Sequence, residues 1–351
     1  MVLINCPAAF VREGRGLAKP LPLPGNLRFR RAKAGEVGYL KDLYESSWGG
    51  GITISREQLE SQMERFPAGQ IVGCEPGSSV PLTMINMMLG EFNPAAGIPA
   101  GYANLTGDRT FSTHIAPQKL LPRMAVSTDS VPAAFCVSIA VAKECQGKGY
   151  AIETLNYAIR FAEANGMAAV PYSAPRGFGS ARRRLPELGI YDYLHMTKAS
   201  PAGYEDYASR LDALAAHARI AAAFSNGVPR VPRAVSRSMF GRYQKLGDDP
   251  LDAQPGATAF ARFLLEDAPA LAQIYGRQMT IEDFVILSGR KMRDPVIGMH
   301  VENGARFIRD AKGGISAVFP ESRPDDGAAA GYNIALTYAC HPLFGHFWGK
   351  T

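Results

Sequence analysis

The chain of 351 residues reads as an α+β fold: a mixed β-sheet flanked by helices, with a helical insertion ahead of the C-terminal strands. Three observations predict it. The run from Val137 to Ala151, V-S-I-A-V-A-K-E-C-Q-G-K-G-Y-A, passes from an apolar strand through a glycine turn straight into an amphipathic helix. Upstream of it come one alternating strand, two helical patterns and two further strands. Downstream, helical periods give way to alternation in the last third of the chain.

In order along the chain, residues 1–26 are rich in Pro and Gly and read as an extended arm. Leu27 to Ala32 alternates as a first strand, and Ala34 to Ser46 follows as a helix with Val37, Leu40, Leu43 and Tyr44 inward. After the loose loop Ser47-Trp48-Gly49-Gly50-Gly51, Ser55 caps a second helix running to Phe66. Strands are expected near Gln70–Cys74 and Leu82–Leu89, then at Cys136–Val141 ahead of the turn Gly147–Ala151. The helix from Ala151 to Asn165 carries Ile152, Leu155, Ile159 and Phe161 or Ala162 on one stripe. Asn165-Gly166 stops it, and Met167–Val170 is the next strand.

Ala202–Phe224 reads as a long Ala-rich helix ended by Asn226-Gly227, Val228–Pro255 as an excursion, and Thr258–Ile274 and Thr280–Ser288 as helices. Asp294–His300, Ala305–Arg309 and Tyr332–Tyr338 alternate and read as closing strands of the same sheet. The expected organisation is an arm (1–26), a core (27–198), a helical insertion (199–290) and C-terminal strands completing the sheet (291–351).

Gly147 and Gly149 permit a turn free of side chains, in which backbone N–H groups converge on one point. The helix that follows adds its unpaired N-terminal donors and the positive end of its dipole. Such a turn is a main-chain pyrophosphate cradle; its bland counterpart is a glycine-rich connector. The dinucleotide fingerprint is excluded for want of a third glycine and a downstream acid, and a P-loop for want of Lys-Ser or Lys-Thr.

Gln146, Gly149 and Ala151 match the acyl-CoA motif Gln/Arg-x-x-Gly-x-Gly/Ala, and over roughly Leu27 to Gly189 the chain resembles the GNAT acyltransferase superfamily. The resemblance implies a GNAT fold with a splayed gap beside the motif strand. It implies that Ser138, Ile139 and Val141 hold the pantetheine arm, and that Gln146, Gly147, Lys148, Gly149, Tyr150 and Ala151 surround the pyrophosphate. Pro171–Gly179, Asp294–Ile297, His300, Asn303-Gly304-Ala305, Arg323–Asp326 and Gly331-Tyr332 resemble a narrower GNAT subgroup. It comprises the GNAT-like decarboxylase or loading domains of curacin-type polyketide synthases and the acyltransferase half of certain nitrilase-fused bacterial proteins. That likeness implies acetyl-CoA or malonyl-CoA as substrate, an acyl carrier protein as partner, and acyl transfer, malonyl-CoA decarboxylation or both. An N-acetyltransferase acting on a small amine and a non-enzymatic acyl-CoA sensor are the alternatives. The long insertion departs from the subgroup and leaves the acyl acceptor open.

The family polarises the thioester carbonyl with a strand N–H, here from Ile139 or Val141, and uses a Tyr after the fifth strand as acid, here Tyr191 or Tyr193. Decarboxylation requires a donor for the thioester enolate. The subgroup uses a His and a Thr, for which His195, His114 and Thr113 are the candidates against ordinary packed histidines and a strand threonine. Trp48 in its Gly-rich loop is a lid candidate or a loop anchor. Arg182, Arg183 and Arg184 are a phosphate site or a solvated face, and Cys145 is incidental.

Composition agrees with a soluble cytoplasmic enzyme. No apolar run reaches the ~20 residues of a membrane span, and the start lacks a signal-peptide pattern. Five scattered cysteines without a CxxC pair give no metal site and no disulfide framework. A net charge of +6 suits CoA phosphates or an acidic carrier and is too dispersed to argue for nucleic acid.

Overall fold

The computed structural model describes residues 25–48, 53–93, 102–116, 130–216, 233–254, 256–310 and 312–338. The arm up to residue 24, Gly49 to Gly51, and the predicted helix beyond residue 216 lie outside them. One eight-stranded mixed sheet organises the chain. Strand β1 (Arg28–Arg31) pairs antiparallel with β2 (Gln70–Cys74), β2 with β3 (Thr83–Phe92), and β3 with β4 (Val131–Val141). β4 then runs parallel to β5 (Ala168–Ser173). This is the GNAT-type arrangement of a mixed sheet flanked by helices.

Helices α1 (Val37–Ser47) and α2 (Arg56–Arg65) connect β1 to β2. Ser55 caps α2 with its hydroxyl and Gln58 answers in a capping box, so this start is fixed locally. Val37, Leu40, Leu43 and Tyr44 of α1 are buried against Val72, Met84 and Ala140 of the sheet. The opposite face is covered by α4 (Tyr150–Ala164), which follows the short α3 (Tyr102–Thr106). Leu155, Ala158, Ile159, Phe161 and Ala162 of α4 pack on Ile71, Ile85, Met87, Leu89 and Ala134. Each fully buried Leu or Ile there contributes roughly 1.5–3 kcal/mol relative to exposure.

Beyond β5 come α5 (Phe178–Arg184), α6 (Ile190–Leu194) and β6 (Thr197–Lys198). A helical stretch follows: α7 (Tyr204–Ala216), α8 (Arg233–Gln244), α9 (Ala259–Glu266), α10 (Ala268–Tyr275) and α11 (Ile281–Ser288). Its two ends meet where β6 pairs with β7 (Lys291–Met292). Arg290, 1% exposed, fastens it by donating to Thr197 Oγ1, Tyr243 O and Gly247 O at 2.6–2.7 Å.

Three readings are corrected. Thr258–Ile274 is two helices, because the chain breaks at Asp267 and Pro269 sits in the first turn of α10. The excursion contains α8. Asp294–His300 is no strand but the start of α12 (Pro295–Glu302): the Asp294 carboxylate accepts from Val296 and Ile297 N–H, and Pro295 opens the helix. Ile297, Gly298 and Val301 are buried at helical spacing, which the apparent alternation concealed. The other two segments do enter the sheet. β10 (Asn333–Thr337) pairs antiparallel with β5, and β8 (Arg306–Phe307) and β9 (Val318–Phe319) pair with β10.

Candidate functional site

The glycine turn has the backbone its sequence demands. Gly147 and Gly149 have φ of 81° and 82°, and no atom lies within 4 Å of where a Cβ would stand on either. Gly149 is the residue before α4. The N–H groups of Gly147, Gly149, Tyr150 and Ala151 find no acceptor among the described residues, whereas Lys148 N–H reaches Cys145 O at 3.4 Å. Glu153, the one acid in the first turn of α4, accepts from Asn26 and Leu27 N–H at 3.0 and 3.1 Å. The Tyr150 side chain is buried and donates to Glu75 at 3.1 Å. Gln146, Lys148 and the glycines face solvent. An exposed ring of N–H groups at a helix start is an anion site in chemical terms.

The motif strand parts from its parallel neighbour as it approaches this turn. β4 pairs with β5 only from Ala133↔Ala168 to Cys136↔Pro171, and among the described residues Val137 to Val141 have no partner strand on that side. The separation coincides with a bulge opposite Asn86 and Met87, where Val137 is the extra residue. A buried amide row crosses the sheet there: Asn86 donates to Gln62 and Gln70 at 2.7 and 2.8 Å, and Ser138 donates to Asn86 at 3.0 Å. Ser138 is therefore committed to the bulge through its side chain. Ala142 N–H goes to Leu82 of the β3 side, so alternation turns the N–H of Ile139 and Val141 to the splayed edge.

At the same end of the sheet lies a chamber of buried polar atoms without partners. The Trp48 ring sits beneath two guanidinium groups, Arg176 at 5.1 Å and Arg323 at 5.2 Å. Arg323, 3% exposed, also lies over Tyr102 at 5.0 Å. Its Nε and Nη2 and Trp48 Nε1 are buried with no hydrogen-bond partner among the described residues; both amide atoms of Asn333, at the start of β10, are likewise unmatched. Burial works against the Arg323 charge, yet Tyr102, Tyr44 and Asp326 hold its pKa above the ordinary value. Arg176 Nη1 stands 3.5 Å from Asp326 Oδ2, too poorly aligned for a hydrogen bond. Trp48 follows the end of α1 and Arg176 follows β5, so the chamber spans the mouth between the splayed strands. Buried donors left unmatched cost about 1–3 kcal/mol each, more when charged. Their concentration here marks a place for an acceptor-rich group.

The predicted residues divide. Trp48, Ile139, Val141 and Gln146 come together: Gln146 Nε2 donates to Ser47 O and to Val141 O, each at 3.4 Å. Tyr193 is buried in α6, its hydroxyl 3.4 Å from Asp294 Oδ2, which also accepts from Gly177 N–H at 2.8 Å. Burial, with Asp294 beside it, raises its pKa, so it stays protonated at neutral pH. His195 stacks on Phe260 of α9 at 5.5 Å, and burial lowers its pKa. No hydrogen bond or ring contact among the described residues joins it to the motif strand. His114 accepts from Leu89 N–H at 3.0 Å through Nδ1, stacks on Phe66, and is pulled down to about 4 by burial. The Thr113 hydroxyl donates to Leu105 O. Tyr191 and Arg182, Arg183 and Arg184 are exposed, and Cys145 is buried.

Arg176 and Arg323 are site residues that the sequence alone does not mark. The segments holding the two arginines were noticed only as family-like stretches, and no local pattern couples residues so far apart in the chain.

Solved structures offer distant likenesses. The GphF GNAT-like decarboxylase in complex with isobutyryl-CoA is 14% identical, over 90% of this chain and 100% of that one, with a TM-score of 0.43. The loading GNATL domain of CurA from Lyngbya majuscula is 10% identical over 90% and 98%, also at 0.43. The NatC complex bound to Gag peptide and CoA is 9% identical over 45% and 80%, at 0.30. At these values no residue role passes from them to this chain. No protein-family model matches the sequence, and no curated protein matches it either.

Proposed function

We propose that this protein is an acyl-CoA-dependent enzyme working on the thioester end of its substrate, with malonyl-CoA as the substrate and decarboxylation, with or without onward acyl transfer, as the reaction. The observation that carries the reading is the pair of sites on one strand: an exposed ring of main-chain donors at the start of α4, and unmatched buried donors at the splayed end of β4. The turn Gln146 to Ala151 binds the CoA pyrophosphate. The open edge of β4 takes the pantetheine arm, and the Ile139 N–H polarises the thioester carbonyl.

The acyl group lies under Trp48. A carboxylate on that group is what Arg323 and Arg176 fit, since a guanidinium edge pairs with two carboxylate oxygens at once. Loss of carbon dioxide breaks the bond to the carboxylate carbon and leaves its electron pair in the thioester enolate. Ile139 N–H and Trp48 Nε1 are the donors available to that oxyanion. Tyr193, held protonated beside Asp294, is the acid that returns a proton to carbon or to a leaving thiolate. His195, just past α6, has a pKa lowered by burial and stacks on Phe260 of α9, which makes it a neutral base only if that face closes on the acyl end. An acyl carrier protein as acceptor, a cytoplasmic location, and residues 199–290 as a helical insertion into a core belong to the same proposal.

The test follows the mass of the CoA product when malonyl-CoA and acetyl-CoA are supplied separately, with and without a carrier protein. Conversion of malonyl-CoA to acetyl-CoA is the expected result. Acetyl transfer to a small amine with no action on malonyl-CoA would select the N-acetyltransferase instead, and tight binding without turnover a sensor.

A further inference from the structure

The splayed edge of β4 offers two N–H groups, and one of them is already spoken for. Val141 donates to Ser47 Oγ at 3.0 Å. Ser47 is the last residue of α1, and no backbone capping bond closes the helix at Trp48. The Ser47–Val141 contact thus ties the end of α1 to the motif strand. Ile139, two residues back on the same edge, has no strand opposite it among the described residues. A backbone N–H is a single donor, so the Ser47 hydroxyl and a ligand oxygen at Val141 exclude one another.

We propose that Ser47 is a gate on the motif strand: its hydroxyl competes with an amide oxygen of the pantetheine arm for the Val141 N–H, and so sets the affinity for CoA. The proposal rests on the acyl-CoA reading above. Gln146 strengthens the closed arrangement, because its Nε2 touches both Ser47 O and Val141 O and ties the gate to the phosphate turn. Arm binding then opens the Ser47 contact, and the apparent affinity is reduced by the cost of that opening.

Calorimetric titration of the wild type, Ser47→Ala and Ser47→Thr with CoA and with 3′,5′-ADP tests this. 3′,5′-ADP carries the 3′-phosphate and the adenosine-side phosphate of the pyrophosphate and lacks the arm. Removing the hydroxyl should tighten CoA binding by roughly two- to ten-fold, the worth of one such hydrogen bond. The affinity for 3′,5′-ADP should not change, and Ser47→Thr, which keeps the hydroxyl, should behave as wild type. Unchanged or weaker CoA binding in Ser47→Ala overturns the gate, as does an equal gain for 3′,5′-ADP. If the wild type binds 3′,5′-ADP and CoA not at all, the acyl-CoA reading itself falls, and the gate with it.

Discussion

The glycine turn at 146–151 and the chamber under Trp48 solve different problems with different parts of the chain. The turn is main chain, exposed, and contiguous in sequence; its donors are N–H groups that no side-chain change can remove. The chamber is side chain, buried, and assembled from α1, the loop after β5 and the segment between β9 and β10. A main-chain site depends on backbone angles, so it must leave glycines in a row. A side-chain site depends on a few atoms brought together by the sheet, and leaves almost no local trace.

The largest expected effect breaks the turn. Gly149 has φ of 82°, a conformation that strains any β-branched residue. Its Cβ direction is open space, so the protein itself accommodates a side chain, and the ligand is what it would meet. Gly149→Val should weaken CoA binding by about 100-fold or more, and Gly149→Asn, which tolerates the left-handed region but still turns a Cβ toward the ligand, should lose less because only the backbone strain is relieved. Calorimetry on the three proteins checks this, and equal affinities would remove the turn from the binding site.

A smaller effect separates the chamber from the turn. Arg323→Met removes a buried cation with two unmatched donors and keeps an apolar stem against Trp48 and Tyr102. The preference for malonyl-CoA over acetyl-CoA should fall by roughly 10- to 50-fold, as expected for a lost bidentate charge pair. Affinity for CoA should hold, because the phosphate turn is main chain and lies elsewhere. If CoA binding itself collapses, the two regions are one cooperative site and the contrast between them fails.

The element order from the first strand through the motif strand, turn and helix was legible because each element there carries its own signal. Ser55 with Gln58 marks a helix start, two glycines mark the turn, and Asn165-Gly166 marks the stop. The splay was available only through resemblance, since it depends on a bulge at Val137 that an apolar run does not announce. His195 looked promising for its aromatic neighbours in sequence, but in space it meets Phe260, some sixty residues away, in a helix whose docking the sequence does not specify. Ile297 and Met299 stand two apart as in a strand, but the Asp294-Pro295 cap-and-proline pair is the stronger signal and starts a helix.

Acid stability compares the two halves once more, by the smallest effect. His114 sits among the motif-half strands, accepting from Leu89 N–H, and His300 lies behind the C-terminal strands, its Nδ1 3.0 Å from the Tyr338 hydroxyl. Burial lowers the first from 6.5 to about 4 and the second from 6.5 to about 3. Both imidazoles are thus neutral in the folded chain at pH values where the unfolded chain has taken up a proton. The unfolded state binds more protons throughout that window, so stability is fully present above about pH 6.5 and is lost as the pH falls towards 4 for His114 and 3 for His300. Each contributes a slope of at most about 1.4 kcal/mol per pH unit. Urea unfolding between pH 7 and pH 5 keeps clear of most carboxylate titration, and over that range the wild-type slope should be shallower by up to one proton in His114→Gln and again in His300→Gln. The slope, unlike the absolute stability, is blind to lost packing. A slope that only the His300 variant flattens would mean that water reaches His114, and that the strand edge at Leu89 is looser than its hydrogen bonds describe.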